Sequence, residues 1–532
     1  VKINNQYNQE YLSDYFSAIL SYANKNNRLA IRYFESSKTL LMQNSSYFDQ
    51  YISSLVIEGK VKKAIKKIKT IEYDENNDLS FETNLLFYVN EIKKNNFESA
   101  EKILDELKNY NSGNLDNIVI NSLKNFNYTF LSKKIKKNVE SYGNLTAINR
   151  AFQSCYLNSN STSTHFENLI NLQEGDYSRY YFFYLAYLKE NNQLGEVKRI
   201  SSTIDILDSN LLISQAKQWI DQNNFDSFSK YFLCSSEQDL ISEFFYLVSS
   251  LYSSQRNFKK SDFYLNLSNF LNKKFYFNLT LLIENNLTNK QYITAEKYLK
   301  DIKKENEVYY WYKIKKKTKI ISNTMDDSKA INYLQDKFRK FKDPSTKMIY
   351  DMANFYKNKK KYKIAIEYYS ELLNKIESRS SIYADILYKR GGCLERIGKY
   401  TESDSDLLNA LEFSPEDPYV LNYLGYSWLE RGYKIEEAIK LLELAYNQKK
   451  NDPYIIDSIG WGYYLIGNYQ KAETYLIKAV QLMPDDPIVN DHYGDILWKL
   501  NRKLQAKYFW RNTIKLDDVD EKLIKNISIK LL

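Results

Sequence analysis

The chain has 532 residues, a formal charge of +9 and 43% hydrophobic residues. A chain this long exceeds what one hydrophobic core ordinarily serves, so it implies several domains or a repeat array. Six prolines and 14 glycines argue against a strand-rich fold with many tight turns and leave long helices unobstructed.

The first helix pair is predicted over 10–25 and 28–42, with Tyr11, Tyr15, Ala18, Ile19 and Tyr22 at helical spacing around the turn at Asn24 to Asn27. A second pair, 47–58 and 61–69, turns at Gly59-Lys60, and a third covers 81–94 and 97–110. Ala30 and Ala64 stand 34 residues apart, and Ala100 takes the same place in the third pair. An acidic, Asn-rich link from Asp74 to Asp78 joins the second and third pairs. From about 111 to 175 the register is irregular. Ser112-Gly113, Gly143-Asn144 and the tract Asn158 to Thr164 read as polar turns, with helices over 118–131, 145–157 and 166–172. Pairing resumes with 180–189 and a partner after Gly195. It continues through 211–221 with 225–232, 244–253 with 258–272, 276–284 with 292–302, and 308–321 with 328–341. Ser261 and Ala295 are again 34 apart.

From 346 onward the repeat becomes regular. Gly391 precedes Gly425 by 34 residues, Gly425 precedes Gly460 by 35, and Gly460 precedes Gly494 by 34. Pro453 and Pro487, Tyr464 and Trp498, Ala472 and Ala506, and Leu476 and Trp510 fall at the same offset. Prolines 418, 453 and 487 start helices, since proline fits a first turn and no later one. A 34-residue period with small residues and aromatics at fixed places resembles the tetratricopeptide repeat (TPR), specifically over 348–510. The resemblance implies an all-α, right-handed solenoid of about 12 or 13 helix pairs. Its expected divisions are divergent repeats over 1–345, a regular array over 346–516 and a capping helix over 517–532.

Residues that recur in such an array are packing residues, because each pair exposes an apolar face that only the next pair can cover. Gly425, Gly460 and Gly494 are read as places where two helices approach closely, and Ala438, Ala472 and Ala506 as their counterparts on the second helix. The TPR pattern places the groove-facing residues at four positions of each first helix. They fall on Tyr419, Asn422, Tyr426 and Leu429, on Tyr454, Asp457, Trp461 and Tyr464, and on Ile488, Asp491, Asp495 and Trp498. Of these, Asn422, Tyr426, Asp457, Trp461, Tyr464, Asp491, Asp495 and Trp498 are the candidate partner-binding set. Aromatic area with a few carboxylates suits a protein or peptide partner that is basic or neutral. The plainer reading packs Trp461 and Trp498 between repeats and uses the aspartates as caps or local ion-pair partners.

Cys155, Cys234 and Cys393 are far apart and odd in number, which reads as three buried free thiols with no disulfide framework. Two histidines cannot build a His-rich metal site. His492 beside Asp491 makes no dyad, since neighbours on a helix point to different faces. No phosphate loop, HExxH, GxSxG or CxxC occurs, so no cofactor or catalytic residue is expected. Residues 301–400 hold 24 Lys+Arg against 13 Asp+Glu, which admits nucleic-acid or anionic-surface binding as the alternative. No apolar run is long enough to span a membrane.

The stretches 457–465 (DSIGWGYYL) and 487–498 (PIVNDHYGDILW) resemble the last repeats of proteobacterial TPR adaptor proteins and lipoproteins. That resemblance implies a bacterial, non-enzymatic scaffold, periplasmic or outer-membrane-associated if a leader was removed and cytoplasmic otherwise.

Overall fold

The computed structural model describes residues 9–37, 41, 44–70, 79–107, 114–172, 177–207, 209–378, 380–516 and 519–532. The predicted link at 74–78 and the turn at 112–113 lie outside them. The described residues form 30 helices and no strand. Two units are distinguished, residues 1–340 and 341–532.

In both units the pairs are built alike. A polar side chain ahead of many helices accepts from the first-turn amides, as Ser80 does from Thr83 N and Asn210 from Ile213 N. The turn inside most pairs holds one residue in the left-handed region, among them Lys25, Asn95, Asn192, Lys290, Lys360 and Asn501, and Gly432 and Gly467 where the chain supplies glycine.

The first unit departs from a simple stack. In a linear array each pair touches only its neighbours. Here helix Phe258–Leu271 packs on Ser45–Ile57, Val61–Ile68 and Phe81–Lys93, while Glu237–Ser254 packs on Phe81–Lys93, Asn114–Ser132 and Asn144–Tyr156. Asn266 donates to the Ile57 carbonyl at 3.1 Å, and Tyr298 Oη donates to the same oxygen at 3.3 Å. Lys297 pairs with Glu58 at 2.9 Å, Lys260 with Glu82 at 2.6 Å, and Lys93 donates to the Leu271 carbonyl at 2.9 Å. One apolar cluster consequently runs from Ala18 to Phe275. The later helices cover faces of the early pairs that an open array would leave to solvent or to a partner.

Two sequence expectations change in this unit. Cys155 and Cys234 are not free thiols. They form a disulfide across 79 residues of chain, with Cα atoms 5.4 Å apart and both residues 2% exposed. The fold brings the end of helix Asn144–Tyr156 beside the connection after Asp226–Tyr231, where Phe152 and Phe232 pack with ring centres 6.0 Å apart. Cys393 is free and buried, and burial pushes its thiol up to about 11. Part of the polar tract read as a turn is helical, since Thr162–Ile170 begins inside it with Thr162 buried. Gly195 likewise lies within helix Leu194–Ser202 rather than before it.

The second unit is the regular stack. Its helices are Thr346–Asn358, Tyr362–Lys375, Ser381–Arg396, Tyr400–Phe413, Pro418–Glu430, Ile435–Gln448, Pro453–Leu465, Tyr469–Leu482, Pro487–Lys499, Lys503–Thr513 and Glu521–Leu531. Successive helices pack together, and first helices of adjacent pairs also touch. Three Asp-Pro steps start the repeats. Asp417, Asp452 and Asp486 each accept from the two amides beyond the proline, which sits in the first turn. A Cβ at Gly425 would lie 2.9 Å from the Ala438 carbonyl oxygen, and one at Gly460 2.8 Å from Leu476 Cγ. These glycines therefore stand where two helices meet too closely for a side chain.

Candidate docking face in the second unit

The first helices Pro418–Glu430, Pro453–Leu465 and Pro487–Lys499 carry the eight candidate residues. Helical periodicity places Asn422, Tyr426, Asp457, Trp461, Tyr464, Asp491, Asp495 and Trp498 on one stripe of each helix. Adjacent first helices pack against one another, so the stripes adjoin.

The aspartates have partners within the fold. His492 Nδ1 lies 2.9 and 3.0 Å from the two carboxylate oxygens of Asp457, and both residues are buried. The imidazole stacks on Trp461 (centroids 4.0 Å apart, 11° between planes), and Trp461 stacks in turn on Tyr464 at 4.5 Å and 12°. Trp461 Nε1 donates to Glu430 at 2.7 Å. Burial opposes the imidazolium, yet Asp457, backed by Asp491 and Asp495, holds His492 above its ordinary value.

Lys530, on the last helix Glu521–Leu531, sits between two carboxylates. Its ammonium donates to Asp491 at 2.8 and 2.9 Å and to Asp495 at 2.8 Å. Burial and the neighbouring Asp491 push the Asp495 carboxyl up, while Lys530 and His492 pull it back. Tyr464 is pushed up to about 12 by burial and then by Asp495. Tyr426 is raised by burial, by Glu430 and by Asp457, and the Asn422 carbonyl oxygen is buried without a donor.

Five of the eight residues are thus gathered: Asp457, Trp461, Tyr464, Asp491 and Asp495. Trp498 stands apart, 36% exposed, against Trp510 at 5.4 Å with the Lys503 ammonium 5.2 Å from its ring centre. The open part of the face is Tyr419 and Tyr454, 47% and 62% exposed, with Ile488 beside them in the repeat. His492, Lys530 and Glu430 belong to the cluster and were not singled out from sequence. The signal that finds two of them is a spacing of 35, one repeat plus one residue, from Asp457 to His492 and from Asp495 to Lys530.

The basic surplus over 301–400 is divided between the two units, and several of its cations are paired. Lys316 meets Glu284 at 2.6 Å, Lys340 meets Asp336 at 3.2 Å, and Lys375 meets Asp343 at 3.6 Å. Arg390 grips Asp406 with two bonds of 2.7 Å. Among the described residues no His, Cys, Asp or Glu cluster could hold a metal ion, and no helix is long and apolar enough to cross a membrane.

Helix pairs repeating every 34 residues, with glycine and alanine at the contacts, give the chain the fold of a TPR-type solenoid. It is 31% identical over 111 residues to a TPR repeat-containing protein of Pseudomonas aeruginosa. The match takes in 21% of this chain and 19% of that one, so the chain matches about a fifth of that relative's length. No protein-family model matches the chain. Similar solved structures include a tetratricopeptide repeat protein from Parabacteroides merdae, 15% identical, covering 48% of this chain and 98% of that one, TM-score 0.40. Another is PilF of Pseudomonas aeruginosa, 18% identical, covering 35% and 82%, TM-score 0.30. The fold assignment rests on the helix pairs themselves.

Proposed function

We propose that the chain is a non-enzymatic scaffold that holds a protein partner on the first-helix face of its second unit. The observation that carries this reading is the seating of the Lys530 ammonium between Asp491 and Asp495. A seat that accepts Lys530 suits a partner's lysine or arginine that displaces it, with Tyr419, Tyr454 and Ile488 offering exposed apolar area on the same face. In the first unit, the helices that close on the early pairs cover the comparable faces. The partner in this reading is basic or neutral where it meets Asp491 and Asp495.

The test is affinity capture from the source cells with the native chain, with Asp491→Asn/Asp495→Asn, and with Tyr419→Ser/Tyr454→Ser. The tyrosine pair is exposed, so its loss leaves the fold intact. A partner held by the native chain and released by both variants, with circular dichroism unchanged, supports the face. An identical set of partners on all three chains overturns it.

A further inference from the structure

A cleft of about 490 Å³ opens in the first unit, far in sequence from the docking face. Its wall comes from helix Leu211–Asp221, the short helix Asp226–Tyr231, Tyr276 and the connection leading into Glu307–Thr324. The volume falls in the range of small-ligand sites, roughly 300–1,000 Å³.

The lining has an unusual chemistry. Five side-chain amides face the cleft, from Gln215, Gln218, Gln222, Asn224 and Asn306, along with the aromatic rings of Trp219, Tyr231 and Tyr276. Trp219 and Tyr231 pack with centroids 4.8 Å apart, and Tyr231 and Tyr276 with centroids 6.0 Å apart, so the rings form one continuous wall. Gln215 is buried, donates to Gln218 at 3.4 Å, and its carbonyl oxygen accepts no hydrogen bond. Asn306 donates to the Tyr231 hydroxyl at 3.1 Å, which fixes both at the rim.

We infer that this cleft is a binding site for a neutral saccharide. Each amide offers a donor and an acceptor fixed in one plane, and a sugar hydroxyl both donates and accepts. The aromatic wall suits the apolar C–H face of a sugar ring. A purely apolar ligand would leave the amides unpaired, at a cost of about 1–3 kcal/mol for each buried polar group. A phosphate or nucleotide finds a single cation, Lys303, against Glu305 and Glu307. Among the described side chains that line the cleft, the Gln215 oxygen is the buried polar atom to which the chain offers no donor, and a ligand hydroxyl would supply one.

The test is saturation-transfer NMR on the full chain with glucose, N-acetylglucosamine and their β-1,4-linked disaccharides at millimolar concentration. Glucose 6-phosphate serves as the anionic comparison and a short Gly-Ser peptide as the amide comparison. At least one neutral sugar is expected to receive saturation and the other two probes none. Gln215→Met keeps the shape of the side chain and removes an unsatisfied oxygen, so its melting temperature should hold or rise while sugar affinity falls roughly tenfold or more. Gln218→Ala, on the partly exposed side, should lower affinity likewise. Absence of saturation for every sugar, transfer to the peptide or the phosphate instead, or equal sugar binding by both variants overturns the assignment.

Discussion

Two histidines in one chain occupy opposite electrostatic settings. His492 is held above its ordinary value by Asp457, Asp491 and Asp495 in spite of its burial. His165 is held below it by burial and by Arg150, and its Nδ1 lies 3.0 Å from the Ser154 hydroxyl. Imidazole NMR resonances should therefore titrate on either side of about 6.5. The sign of the stability effect follows from linkage. A base held above its unfolded value adds stability that is complete below about pH 6.5 and is lost as pH rises through the folded value. His492→Gln should remove that loss in thermal melts between neutral and alkaline pH. A single titration for both rings, or one below 6.5 for His492, would contradict the Asp457 pairing. The candidate aspartates were legible in the sequence from their place in the repeat. Their partners were not, because the carboxylate next to His492 in the chain, Asp491, is not the one the imidazole meets. Its actual carboxylate lies one repeat and one residue away.

At the scale of helices, the 34-residue period carries most of the second unit. Glycines, alanines and Asp-Pro steps fall where the stack requires them, and each makes a local demand that a sequence can display. Gly425 illustrates how strict that demand is. The nearest atom to an added Cβ is the Ala438 carbonyl oxygen, backbone that cannot rotate away, with Leu442 Cγ at 3.1 Å behind it. Gly425→Ala should cost about 1–3 kcal/mol by forcing the pair apart, read as a lower melting temperature. Gly398, at a left-handed φ of 78° with open space around its Cα, should respond to the same substitution through backbone strain alone, by about 1 kcal/mol. The short helix Asp226–Tyr231 falls within the predicted 225–232, whereas the helical start at Thr162 was less legible. It lacks the small-residue spacing that marks a pair, and tertiary packing decides where it begins.

At the scale of the whole molecule, the two units are held by different kinds of contact. Hydrogen-bonded links in the first unit join residues 209 and 241 positions apart, whereas Lys530 to Asp491 in the second spans 39. Helices Glu237–Ser254 and Phe258–Leu271 lie against the early helices of the same unit. No residue pattern announces that, so closure and the Cys155–Cys234 bridge were invisible in the sequence. Hydrogen exchange should show helices of the first unit opening together and those of the second opening in order from its ends. Reduction of the disulfide should speed exchange across both Ser45–Ile57 and Phe258–Leu271. In the chain-entropy description a 79-residue loop stabilises by about 4.5 kcal/mol. Exchange that rises only beside the two cysteines would refute this coupling.

The closed first unit also sets a timetable for synthesis. The Ile57 carbonyl receives its donor from Asn266, 209 residues later. At roughly 5–20 residues per second, the ribosome delivers that partner about 10–40 s after Ile57 has been made. During that interval the early helices present to the cell the apolar surface that Phe258–Leu271 will cover. The nascent chain is thus expected to engage holding chaperones during that interval, and pausing codons placed before residue 258 would prolong the exposure.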